Sequence, residues 1–202
     1  VNVPIVEDKL GIKLFGAQIK SDGFVYNTTL EEDVGGDDVQ NYGFAAKWQP
    51  TDQFDIKLHY EKTKDESDQG AYVNQNVGTD NTCVFFNSCV TNTTDNENQN
   101  SSNTRNFSDN EYDTTILTAN YDFGNMVLTY IGAQRDMDEQ NMQSFDASPA
   151  DFLDMNYFNE WDQESHELRI TTNFDGPLNF VAGLYSFEVD YTQYWDVYHL
   201  HW

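Results

Sequence analysis

Three times along this chain a tight polar turn joins two runs that alternate apolar and polar residues, and long connections separate those hairpins. The alternation is clearest over residues 54–61. Phe54, Ile56, Leu58 and Tyr60 share one face there, and Asp55, Lys57, His59 and Glu61 share the other. A period of two is the signature of a strand. Just upstream, Tyr42, Phe44, Ala46 and Trp48 oppose Asn41, Gly43, Ala45 and Lys47, and Pro50-Thr51-Asp52-Gln53 supplies the turn between the two runs. Its Pro fixes φ and its Asp bonds its own backbone. Runs 112–122 and 126–138 flank Asp122-Phe123-Gly124-Asn125, and runs 163–174 and 179–193 flank Asp175-Gly176-Pro177-Leu178. A strand over Lys9–Lys20 completes an expected set of seven.

The connections after the second, fourth and sixth strands take about four to six residues, whereas those after the first, third and fifth span 21–40, 65–111 and 139–162. A β-sandwich has no reason to gather its long loops at one end. A bacterial outer-membrane barrel does, with tight periplasmic turns and long extracellular loops. Aromatic residues bracket the three short turns (Trp48 and Phe54, Tyr121 and Phe123, Phe174 and Phe180), where an interfacial girdle would lie. The expected fold is therefore all-β: an antiparallel transmembrane β-barrel segment of about seven strands.

Composition agrees. The chain carries 35 Asp and Glu against 10 Lys and Arg, a formal charge of −25, yet aromatic residues make up 15% of it. That aromatic content argues for order, while the charge excludes a nucleic-acid footprint and docking on an anionic surface. The acidic and amide residues concentrate in the long connections, and the run from Thr91 to Asn110 is low enough in complexity to be expected mobile. No stretch is apolar enough for a transmembrane helix, and Val1-Asn2-Val3-Pro4 opens no signal peptide, so a mature or cut product is expected. Cys83 and Cys89 are close enough to close a small loop. In an oxidising compartment a disulfide is the expected state, contributing roughly 2 kcal/mol. Two free thiols are the alternative, and zinc is disfavoured because no further ligands lie nearby.

Several stretches are also familiar. Lys47-Trp48-Gln49-Pro50-Thr51-Asp52, residues 117–124, residues 144–152 and, above all, residues 163–170 followed by 173–185 resemble, in order and spacing, the barrel region of TonB-dependent outer-membrane receptors. The resemblance covers about Lys9 to Tyr191. It implies a barrel of about 22 strands around an N-terminal plug, in the bacterial cell outer membrane, importing a ferric siderophore or, less often, cobalamin or a sugar, with TonB supplying the energy. The whole of 1–202 would then be a partial barrel domain without its plug, an internal fragment. Its partners would be the plug and remaining strands, the TonB complex, a nutrient chelate and the lipid bilayer.

On that reading the polar face lines the lumen, which makes Lys57, His59, Glu61, Glu167 and Arg169 the candidate lumen-facing residues. They either shape a hydrated path for cargo or satisfy one another and the plug. The acidic runs Asp33–Asp38 and Asp136–Glu139 do not fit EF-hand spacing and read as solvated surface. No catalytic motif is present, so neither an enzyme nor a cofactor is expected. Two other classes remain: a secreted soluble β-sandwich for binding or adhesion, and a passive porin. What the Phe54–Tyr60 face touches separates the sandwich from the channel.

Overall fold

The computed structural model describes residues 1–74, 78–79, 91–92, 96–149 and 153–199. The elements in chain order are β1 (Asn2–Val6), β2 (Leu10–Lys20), β3 (Val25–Asn27), β4 (Glu32–Val34), β5 (Asp38–Thr51), β6 (Phe54–Asp65), β7 (Gly78–Thr79), β8 (Thr91–Asn92), β9 (Gln99–Asn100), β10 (Phe107–Asp122), β11 (Met126–Ser144), β12 (Leu153–Thr172) and β13 (Val181–His199). Eight of them form one sheet in the order β1-β2-β5-β6-β10-β11-β12-β13, each pair antiparallel. The loop strands form two small sheets, β4-β3-β9 and β7-β8.

The seven expected strands are all present and gain an eighth. β1 escaped the sequence reading because Pro4 interrupts its alternation and its ladder shifts register between Pro4 and Val6. Proline cannot donate to a ladder and is confined to edges and bulges, and β1 is the edge of the described sheet. The short turns lie at one rim: residues 7–9, 52–53, 123–125 and 173–180. At the second, Trp48 and Thr51 flank a register shift that accommodates Pro50, and Phe54 N donates to Thr51 Oγ1 at 3.1 Å. At the third, Gly124 takes a φ of 94° and its N–H reaches Asp122 Oδ1 at 2.6 Å. At the fourth, Asn179 holds Phe174 through both backbone polar groups. The rings expected at this rim do line it, with Tyr121 4.6 Å from Phe123 and 6.5 Å from Phe54, and Phe174 6.3 Å from Phe180.

At the other rim the strands run further than their sequence suggested. The connection expected over 139–162 contracts to 145–152, because β11 continues to Ser144 and β12 begins at Leu153. Asp146 fastens this loop by accepting from Ser148 N and Oγ and from Leu153 N. The run from Thr91 to Asn110, expected mobile, is built into the fold over its described part. Gln99 and Asn100 pair with β3, and Asn100, Ser101, Ser102 and Asn106 are buried. Asn27, 1% exposed, gives its Nδ2 to Ser102 O at 2.9 Å and takes Thr29 N and Leu30 N on Oδ1. Cys83 and Cys89 lie outside the described residues.

Among the described residues the buried hydrophobic side chains are only Val25, Val34 and Ala147; the rest of the buried set is amide, hydroxyl and one carboxylate. The large apolar residues are instead widely exposed, Leu14, Trp48, Leu168 and Leu184 on one face of the main sheet and Tyr185, Phe187 and Val189 on the other. Among the described residues neither small sheet is hydrogen-bonded to the main one. Close strand approach is tightest at Gly43, where a Cβ would meet Tyr60 O and the Phe15 ring. Gly43→Val is expected to cost about 1–3 kcal/mol in a denaturant titration, while the same change at Gly70, which has nothing within 4 Å, leaves the midpoint in place.

Candidate functional site

Directly paired residues of an antiparallel ladder project to the same side, so the register sorts every strand into two faces. One, called outer here, carries Leu14, Phe44, Trp48, Ile56, Leu58, Leu117, Leu128, Leu168 and Leu184 toward the short-turn rim. Further along the same face the chemistry changes. Asp113, Asp136, Asp162 and Asp190 stand opposite one another across β10 to β13, with Glu111, Asp138 and Glu160 in the next row. Lys62 answers part of this charge, reaching Glu111 at 2.8 Å and Asp113 at 3.1 Å. The outer face is thus an apolar band below and an acidic belt above.

The inner face holds the candidate site. Lys57, His59 and Glu61 project from β6 to this side, and Glu167 and Arg169 from β12. All five candidates share the face but form two separate groups. Lys57, Thr118, Ile131 and Glu167 occupy one cross-strand row, so three strand spacings, roughly 14 Å, lie between the groups. Each group closes on itself. His59 contacts Glu61 at 3.2 Å, Asn41 donates to Glu61 at 2.8 Å, and Arg169 contacts Glu167 at 3.2 Å. Among the described residues Lys57 has no carboxylate partner. It lies opposite Lys47 and close to Lys13, and these line an open concavity of about 560 Å³ together with His59, Pro4, Gly11 and Ala45.

Sequence reading missed the upper half of this face, because it lay within segments taken as loop. There Tyr112 donates to Glu139 Oε1 at 2.6 Å and Asn159 Nδ2 to Glu139 Oε2 at 2.8 Å, while Tyr191 and Gln193 donate to Asn159 Oδ1 at 2.9 and 2.7 Å. The network ties β10, β11, β12 and β13 together. Gln69 covers it from the loop side, bonding Ser108 and Asn141 at 2.6 Å each. Aromatic and thioether side chains join it on the same face: Met137, Trp161 and Tyr191 follow Tyr112 in one row, and Tyr185, Phe187 and Val189 continue down β13. The expectation that the inner face is uniformly polar therefore needs correction. Apolar character moves from the outer to the inner face as the strands rise. The surviving signal was alternation itself, since Met155, Tyr157 and Trp161 keep a period of two through residues read as loop. A double-mutant cycle between Tyr112→Phe and Asn159→Ala, read by equilibrium unfolding, is expected to show a coupling of about 1 kcal/mol through Glu139; additive losses would separate the two bonds.

No family model matches the sequence, and no curated protein matches it. Among solved structures the chain matches the crystal structure of the ferric yersiniabactin uptake receptor FyuA from Yersinia pestis, with a TM-score of 0.76 and 18% identity. The match covers 97% of this chain and 28% of that one, so the chain spans under a third of the length of the protein it resembles. At this identity the likeness speaks for fold. The chain folds as an antiparallel segment of a β-barrel wall.

Proposed function

We propose that this chain is part of the wall of a bacterial outer-membrane receptor that takes up a scarce nutrient, a ferric siderophore, with energy supplied through TonB. The observation that carries the reading is the stratified outer face on a receptor-type fold. Its apolar band suits hydrocarbon. Its acidic belt cannot lie at the same depth, since like charges directly opposite one another are tolerable only in water or among counter-ions. The long connections leave from the rim beyond the belt, as extracellular loops would.

In this reading the inner face is the lumen wall, and Lys57, His59, Glu61, Glu167 and Arg169 line it. Lys13, Lys47 and Lys57, without carboxylate partners among the described residues in a chain of charge −25, suit an anionic metal chelate or an acidic surface of a plug domain. The remaining barrel strands are the other implied partner. Among the described residues β13 is paired on one side only, and 19 residues of open ladder are unfavourable in lipid. The sequence resemblance to TonB-dependent receptors and the likeness to a ferric-chelate uptake receptor both support this assignment over a passive porin.

Two measurements test it. Leu117→Arg, on the outer face, is expected to cost about 2–4 kcal/mol in folding into phospholipid vesicles, whereas Thr118→Arg, one residue away on the inner face, costs little; equal costs would contradict the lipid assignment. In cells under iron limitation, deletion of the gene is expected to abolish energised uptake of radio-iron from at least one ferric siderophore. Undiminished uptake across a siderophore panel would refute the assignment of cargo.

A further inference from the structure

Asp154 is the one carboxylate among the buried residues, 4% exposed, and it carries no cationic partner among the described residues. Thr104 Oγ1 donates to its Oδ2 at 2.6 Å, while its Oδ1 is buried with no hydrogen-bond partner. Ser144, 1% exposed, stands directly opposite Asp154 in the β11–β12 ladder, and its Oγ is likewise buried and unpartnered. Asn156, the next residue of β12 on the same face, has an Oδ1 in the same condition. Three oxygens from neighbouring positions on one face are thus left without a donor.

A buried charge is ordinarily paired or bound to a metal, because desolvating it alone is too costly. Here the surroundings add to the demand. Asp146, in the loop that closes this hairpin, is an acidic neighbour two residues beyond Ser144. Its oxygens are already engaged by Ser148 and Leu153, and a second carboxyl offers Asp154 no counter-charge. A carboxylate, a hydroxyl and an amide carbonyl together make an oxygen-only donor set. That set suits a hard cation of flexible coordination, calcium above magnesium, which holds its own waters and demands octahedral geometry.

We infer that Asp154, Ser144 and Asn156 form a calcium site at the tip of the β11–β12 hairpin. The site would lock this tip to the segment that crosses it, since Thr104 bonds Asp154, Asn103 N donates to Ser148 O at 3.0 Å and Asn106 Oδ1 accepts from Ser144 N at 2.7 Å. Calcium outside the cell would then hold the long-loop rim in one arrangement. The inference rests on local geometry and stands whether or not the cargo is a siderophore.

The test is calcium titration of the detergent-solubilised full-length protein by calorimetry and by hydrogen exchange. Calcium is expected to bind in the sub-millimolar to millimolar range of extracellular modules and to slow exchange over residues 144–156 and 102–106, with magnesium having little effect. Asp154→Asn is expected to weaken binding by about tenfold or more, while Asp162→Asn, in the outer acidic belt, retains it. Exchange on the unsubstituted protein settles the matter even if a variant misfolds. Absence of calcium-dependent protection, an equal effect of magnesium, or unchanged affinity in Asp154→Asn would each overturn the site.

Discussion

The pleat of the ladder is the constraint on which the rest of this structure depends. In an antiparallel sheet each residue is committed to one side, and a slip of one position would exchange the two sides along a whole strand. Leu58 and Leu117 stand opposite each other, and so do His59 and Ile116. A shift of one residue would put His59, Glu61 and Lys57 on the apolar face and bury Leu58 and Ile56 among charges. The tight turns at 52–53 and 123–125 hold the register from one end, and the Tyr112–Glu139–Asn159 network holds it from the other.

The two faces are not constant along the strands. Low on the wall, apolar residues are outside and Asp55, Asn120 and Thr129 form a bonded polar row inside. Higher up, carboxylates occupy the outside and Tyr112, Met137, Trp161 and Tyr191 the inside. A single solvent on each side cannot explain such a reversal. Hydrocarbon against the lower outer face and water against the upper one can, with loop residues such as Gln69 reaching over the upper inner face to Ser108 and Asn141. The polar buried set beneath those loops, from Asn27 to Asn141, follows from the same arrangement.

How much of this was legible in the sequence depended on which solvent each stretch meets. β5 and β6 were readable almost to the residue, because their two faces differ sharply in polarity and so alternate cleanly. The upper part of β11 was hidden because both of its sides are largely polar, and that of β12 because Met155, Tyr157 and Trp161 lie on the face opposite Leu168 and Ile170, so residues 139–162 looked like loop. β1 was hidden by Pro4. That the five candidate residues share one face follows from parity alone, yet their division into two groups needed the strand order, since β10 and β11 come between them. The Asp154 cluster was beyond sequence reasoning, because one buried carboxylate among 35 acidic residues has no local mark. The Asn-rich run before β10 was misjudged for a related reason: low complexity hides specific pairings such as Asn27 with Ser102.

Depth along a single strand is the most direct test of the stratified wall. Nitroxide labels placed one at a time along β12, from Glu160 to Ile170, in the membrane-inserted protein would report accessibility to oxygen in lipid and to a polar nickel chelate in water. Labels at 168 and 170 should favour oxygen, those at 160, 162 and 164 on the same face should favour the chelate, and those at 167 and 169 should show no lipid contact. Chelate access at 168 and 170, or oxygen access at 167 and 169, would contradict a wall whose outer face passes from hydrocarbon to water.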